Sequence, residues 1–134
     1  VGFPGETEAD FVKTCEVLTD LKFDKVHIAK YSPRPGTVSS RRMIDDVPVK
    51  EKERRRRILD EIQAGVVSSI NRDYLGQTTE VLIESKHKDK WRGRTRTNKL
   101  VFVETGEDMT GKTVRVKVEW TGPWFMLGTA IDNI

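Results

Sequence analysis

Three arginines stand at every second position in the stretch WRGRTRTNK: Arg92, Arg94 and Arg96. On a β-strand successive side chains alternate faces, so the three guanidinium groups share one side, with Trp91, Gly93, Thr95 and Thr97 on the other. A row of like charges weakens an isolated sheet and becomes favourable when an anion lies along it. Guanidinium groups suit phosphate, which they contact through two parallel hydrogen bonds, and their planes stack on exposed bases. Thr95, Thr97 and Asn98 add neutral donors for sugar or base edges. From Lys86 to Lys99 there are seven Lys and Arg against one acid, Asp89, whereas residues 73–134 carry ten basic and nine acidic side chains. Positive charge is thus focused on one hairpin, the footprint of a nucleic-acid contact. The competing reading is a solvated strand whose arginines pair with acids across the sheet. Tyr74, Trp91, Phe102, Trp120, Trp124 and Phe125 are possible stacking surfaces. In a small β domain most belong to the core, and Trp91, flanking the arginines, is the expected exception.

The elements that must position this hairpin are legible in outline. From about Tyr74, five short segments rich in Val, Thr and aromatics (TTEVLIES, WRGRTRT, KLVFVE, TVRVKVEW and FMLGTAID) are separated by turn signals at HKDK, Asn98, TGEDMTGK and TGP. Five short strands in about 60 residues predict a small antiparallel β-barrel of OB-like size over 73–134. Upstream, Pro48 opens a charged helix over 48–72, supported by Glu51–Arg55 and Glu53–Arg57 pairs and given a core-facing stripe by Ile58, Leu59 and Ile62. It is expected to link two domains. Residues 1–47 read differently. VGFPGETEADF is a strand end, a Gly/Pro turn and a helix start, with Thr7 and Asp10 as a capping box. Phe11, Cys15, Leu18 and Leu21 recur at helical spacing to about Lys22. FDKVHIAKY follows as a strand and SPRPGTVSS as a loop. Strand, helix, strand is the logic of a parallel α/β unit, too small to cover its own sheet.

The remaining constellations carry less chemistry. RRRR at 54–57 covers all sides of a helix and is bracketed by acids, which favours a solvated, salt-bridged helix over a nucleic-acid patch. GFPGE, residues 2–6, and YSPRPGT follow successive strands and so lie at one end of their sheet, where open α/β folds bind ligands. His27 and His87 lack companion ligands, so no metal site is expected. The single cysteine, Cys15, falls on the apolar helix stripe and suits packing. No apolar run reaches the roughly 18 residues needed to span a bilayer, and no nucleophile–base arrangement stands out.

Taken together, VGFPGETEADF, YSPRPGT and GRTRTN, with a charged helix between the second and third, resemble the C-terminal part of MiaB-type tRNA methylthiotransferases. In that family a radical S-adenosylmethionine barrel is followed by a TRAM domain, a small β-barrel that grips tRNA. The resemblance implies conversion of N6-isopentenyladenosine beside the anticodon to its 2-methylthio form, in the cytoplasm, with S-adenosylmethionine and two [4Fe–4S] clusters as cofactors of the parent enzyme. It places Gly2, Pro4, Gly5 and Glu6 near the S-adenosylmethionine site and Tyr31, Arg34, Pro35 and Gly36 at the active-site mouth. Arg92, Arg94, Arg96 and Asn98, with Trp91, Thr95 and Lys99 beside them, would hold the anticodon stem-loop. The cluster-binding cysteines are absent, so the 134 residues are expected to be a fragment, inactive alone: the last unit of a catalytic barrel, a linking helix and an RNA-binding domain. The alternative is a general RNA-binding barrel attached to an unrelated α/β domain. A third reading makes the hairpin a protein-docking surface.

Overall fold

The structure, a computed structural model, describes residues 1–133. The chain divides into two compact units, residues 1–66 and 67–134.

In the first unit, α1 (Glu8–Leu21) starts at a full capping box: the Thr7 amide donates to Asp10 Oδ2 at 3.0 Å and the Asp10 amide to Thr7 Oγ1 at 3.2 Å. Two of the four orphan donors of the first turn are thereby satisfied. Lys22, in the left-handed region at φ 50°, ends the helix. Phe11 and Leu18 are buried against Leu59, with Val1, Cys15, Val26, Ile28, Ile58 and Ile62 packed around them. Leu21 is exposed, because the apolar stripe runs out one turn earlier than the spacing predicts. The flanking segments are extended rather than regular strands. They are joined where the Val1 amino group donates to Ala29 O and the Tyr31 amide donates to Val1 O, both at 2.8 Å. One residue bonded on either side of its neighbour is the parallel-strand pattern. Within the predicted loop, Thr37 caps a short helix, α2 (Val38–Arg42), by accepting from the Ser40 amide.

α3 (Val49–Arg72) carries the chain into the second unit. There, β1 (Thr78–His87), β2 (Lys90–Thr95), β3 (Leu100–Glu104), β4 (Thr113–Thr121) and β5 (Met126–Asn133) close a barrel in the order β1-β2-β3-β5-β4. Four of the five pairings are antiparallel, as expected; β3 and β5 pair in parallel, Val101 opposite Met126 and Val103 opposite Gly128. Sequence patterning does not show this pair, because β4 intervenes in the chain. Alternation fills the interior with Val81, Ile83, Trp91, Val101, Val103, Val114, Val116, Val118 and Met126, and Met109 plugs it from the β3–β4 loop. Burying each of these side chains is worth about 1.5–3 kcal/mol. Gly93 also faces inward: a Cβ there would meet Leu82 O and Val81 Cγ1 at 2.5 Å, so β1 and β2 approach as closely as they do only over a glycine.

Candidate nucleic-acid interface

Because Trp91, Gly93 and Thr95 face the core, Arg92 and Arg94 project outward from β2, and their side chains retain 43% and 31% exposure. Arg96 lies just beyond the strand, in the turn to β3, and is 83% exposed. That turn is built by its threonines. The Thr95 amide donates to Lys99 O and the Lys99 amide to Thr95 Oγ1, both at 3.0 Å, while the Tyr74 hydroxyl lies 2.9 Å from Thr97 Oγ1. Asn98 adopts φ 63°, and its carbonyl accepts from Arg94 Nη1 at 3.2 Å.

The seven residues expected at the RNA therefore divide. Arg92, Arg94, Arg96 and Asn98 stand outside the barrel. Trp91 is buried in its core, against the expectation of an exposed stacking ring, for the reason alternation itself supplies: it shares the face of Gly93 and Thr95. Thr95 and Lys99 are largely buried as well and are tied to each other in the β2–β3 turn.

The outward arginines are not alone. Glu80 and Glu84 of β1 face them: Arg96 pairs with Glu80, and Glu84 Oε2 lies 3.8 Å from Arg92 Nε and 3.9 Å from Arg94 Nε. A one-residue bulge between Ile83 and Ser85 puts Glu84 within reach of both. The cross-sheet pairing weighed against a ligand is therefore partly present. At 3.8–3.9 Å the Glu84 contacts are not hydrogen bonds, and Arg92 Nε is buried without any hydrogen-bond partner. Exposed pairs of this kind contribute about 0–1 kcal/mol each, little enough for phosphate to compete. Beside the arginines, Glu80, Leu82, Arg94, Thr95, Arg96 and Thr113 line a surface cavity of about 260 Å³.

Three of the aromatic residues weighed as stacking surfaces but expected mostly in the core, Phe102, Trp120 and Phe125, lie on the same outer surface. Phe102 lies opposite Arg92 in the β2–β3 register. Its ring centroid is 5.5 Å from His87 and 5.4 Å from Phe125, and Phe125 is 5.1 Å from Trp120. Phe102 was recoverable from the phase of KLVFVE, in which Val101 and Val103 take the inside. Trp120 was not: Val114, Val116 and Val118 predict it inward, and a register shift between Val118 and Trp120 turns it out to 45% exposure.

In the first unit the two Gly/Pro-rich stretches are brought together as expected. Phe3 meets Tyr31 edge-to-face at 5.2 Å, and Lys52, buried, donates to Tyr31 O at 3.1 Å and to both carboxylate oxygens of Asp45 at 2.6 and 2.9 Å. Arg55, also buried, donates to the Glu6 carbonyl and carboxylate at 3.0 and 2.7 Å and to Glu51 at 2.8 Å. The Gly2 amide donates to Glu6 Oε1 and the Gly5 amide to Asp46. Gly2 has φ 78°, and a Cβ there would lie 2.3 Å from the Lys52 side chain, so both conformation and space demand glycine. Tyr31 is half-buried, while Arg34, Pro35 and Gly36 are exposed. The four-arginine run is thus not simply solvated. Arg54 pairs with Glu8 and Glu51, Arg56 with Glu53 and Asp60, and Arg55 is a buried tie to the Gly/Pro turn. Glu53 takes Arg56 and Lys30 in place of the predicted Arg57.

These pairs have a pH signature. Arg54, then Arg55, hold the Glu51 carboxyl at about 2, and Arg56, then Lys30, hold Glu53 at about 2, against an ordinary 4.5. A depressed carboxylate contributes stability that is complete above its unfolded value and is lost as pH falls towards its folded one. The helical signal is therefore expected to melt at progressively lower temperature as pH drops from about 4.5 to about 2. Glu51→Gln/Glu53→Gln should flatten that dependence in circular-dichroism melts.

A small closed β-barrel with an outward arginine row and adjoining aromatic rings has the make-up of a nucleic-acid-binding barrel. Residues 72–131 match the TRAM domain family. Over nearly its whole length the chain is homologous to part of proteins named tRNA-2-methylthio-N(6)-dimethylallyladenosine synthase. It is 47% identical to the one from Roseiflexus sp. (strain RS-1) over 131 residues, which cover 96% of this chain and 28% of the relative. Identity is 44% to that of Dehalococcoides mccartyi (strain CBDB1), covering 98% and 32%, and 35% to that of Petrotoga mobilis (strain DSM 10674 / SJ95), covering 99% and 31%. The chain thus spans about three-tenths of the length of these curated relatives. Among the described residues no helix is long and apolar enough to cross a membrane, and no cluster of His, Cys, Asp and Glu suits a metal ion.

Proposed function

We propose that this chain is the C-terminal, tRNA-binding part of a radical S-adenosylmethionine methylthiotransferase that converts N6-isopentenyladenosine beside the anticodon to its 2-methylthio derivative, in the cytoplasm. The observation that carries the reading is homology across both units, not the barrel alone, to enzymes named for that product. A barrel borrowed by an unrelated protein would match only over 72–131. Within this reading the barrel holds the anticodon stem-loop through Arg92, Arg94, Arg96 and Asn98.

The residues of the chain do not fit an iron–sulfur cluster, since such clusters need several thiolates and the chain has one cysteine. Ligation of both clusters would fall to the remainder of the parent enzyme. Gly2, Pro4, Gly5 and Glu6 would border the S-adenosylmethionine site through the shape of their turn, because the Gly2 and Gly5 amides and Glu6 Oε1 are already committed within the chain. Tyr31, Arg34, Pro35 and Gly36 would flank the same mouth.

The test is the parent enzyme assayed for 2-methylthio product on tRNA. Arg92→Ala/Arg94→Ala/Arg96→Ala should raise KM for tRNA by about tenfold or more with kcat retained, the mark of lost uniform binding. A triple variant with unchanged KM would remove the barrel's arginines from substrate recognition. Absence of the 2-methylthio product from the unsubstituted enzyme would overturn the assigned reaction.

A further inference from the structure

The outer surface of the barrel carries two rows side by side. One is Arg92 and Arg94 on β2, continued by Arg96. The other is aromatic: His87 at the end of β1, Phe102 on β3, Phe125 ahead of β5 and Trp120 at the end of β4, linked by centroid separations of 5.5, 5.4 and 5.1 Å. The rows meet where Arg92 is paired with Phe102 across neighbouring strands, which are about 4.8 Å apart. Four rings in continuous contact on the outside of a barrel whose interior is already filled are not needed for its core. We infer that this aromatic row is a stacking surface for unpaired bases, so that one RNA strand lies with its phosphates on the arginines and its bases on the rings.

The inference rests on the reading that this face binds RNA, and it adds which form of RNA. Charge chooses the occupant: rings bordered by Arg92 and Arg94 favour a polyanion that also has planar apolar faces. A single strand has both, whereas a duplex hides its base faces in its own stack. Arg92 Nε, buried and without a hydrogen-bond partner beside Phe102, leaves an unmet donor at the junction of the two rows.

The experiment uses the 134-residue chain with an oligoadenylate of about eight nucleotides and a blunt RNA duplex, each across a salt series. Phe102→Leu/Phe125→Leu should weaken oligoadenylate binding about tenfold or more. The factor should be the same at every salt concentration, since lost stacking releases no counterions. Duplex binding should not change. The unsubstituted chain provides a readout that no folding defect can mimic: oligoadenylate should quench tryptophan emission, and Trp120→Phe should remove most of that quenching. Arginine-dependent binding with an unaltered Phe102→Leu/Phe125→Leu variant, or with no quenching from Trp120, would overturn this inference and leave the RNA reading intact; a row serving a protein partner would give that result. Failure of the unsubstituted chain to bind either RNA would overturn both.

Discussion

Trp91→Ala is expected to cost about 3–5 kcal/mol of barrel stability, the range for truncating a buried Trp or Phe side chain. Trp91 is 8% exposed, sits among Val81, Ile83, Val101 and Val103, and carries Lys86 Nζ 5.6 Å from its ring centroid at the surface. Removing it opens a large void that β2 cannot close, because Gly93 already holds β2 against β1. Urea unfolding followed by far-ultraviolet circular dichroism measures the loss. At temperatures where the variant stays folded, RNA affinity should remain within about twofold. The reverse outcome, full stability with affinity lost, would return Trp91 to the surface as a base-stacking ring.

Asp45→Ala should destabilise the first unit by about 2–3 kcal/mol. Breaking a buried ion pair costs about 3–5 kcal/mol when the surviving charge is left in the interior. Here the Lys52 side chain is 6% exposed but Asp45 is 31% exposed, so the pair is already partly hydrated and the cost falls just below that range. Lys52→Met should cost less, about 1 kcal/mol, because Asp45 can turn to water while a straight apolar chain still covers Gly2. Adding Lys52→Met to Asp45→Ala should therefore recover stability. Thermal unfolding of the two single variants and the double variant gives the cycle. Equal, additive losses would show that the pair is a surface contact with no buried charge to strand.

How far the sequence showed this molecule depended on whether period and phase stayed intact. Alternation in WRGRT put Arg92 and Arg94 on one face and Trp91 on the other; with the arginines outside, Trp91 must lie inside, a consequence that proximity to the arginines obscured. The barrel's five strands were visible in their turn signals, but the parallel β3–β5 pair was not, since a pairing between strands separated by a third leaves no local pattern. Register shifts broke the pairing three times, two of them at the candidate interface. One brought Glu84 to Arg92 and Arg94, and the other turned Trp120 outward. Both changed the candidate interface, adding competing acid to one row and a ring to the other. In the first unit the capping box at Thr7 was explicit in residue types. The ties from Lys52 to Asp45 and Tyr31, and from Arg55 to Glu6, span up to 49 positions and depend on where a helix face comes to rest, which spacing does not encode.

The central claim is that the outward arginine row grips RNA phosphate. Its most direct measurement is binding of the 134-residue chain to an anticodon stem-loop RNA across a salt series, beside Arg92→Ala/Arg94→Ala/Arg96→Ala. With roughly 3–5 phosphates contacted, log K should fall against log salt with a slope of roughly −2 to −4, and the triple variant should flatten that slope by roughly 2. A slope unchanged by the variant, or no binding of the unsubstituted chain at low salt, would contradict the account and leave Glu80 and Glu84 as the arginines' own partners.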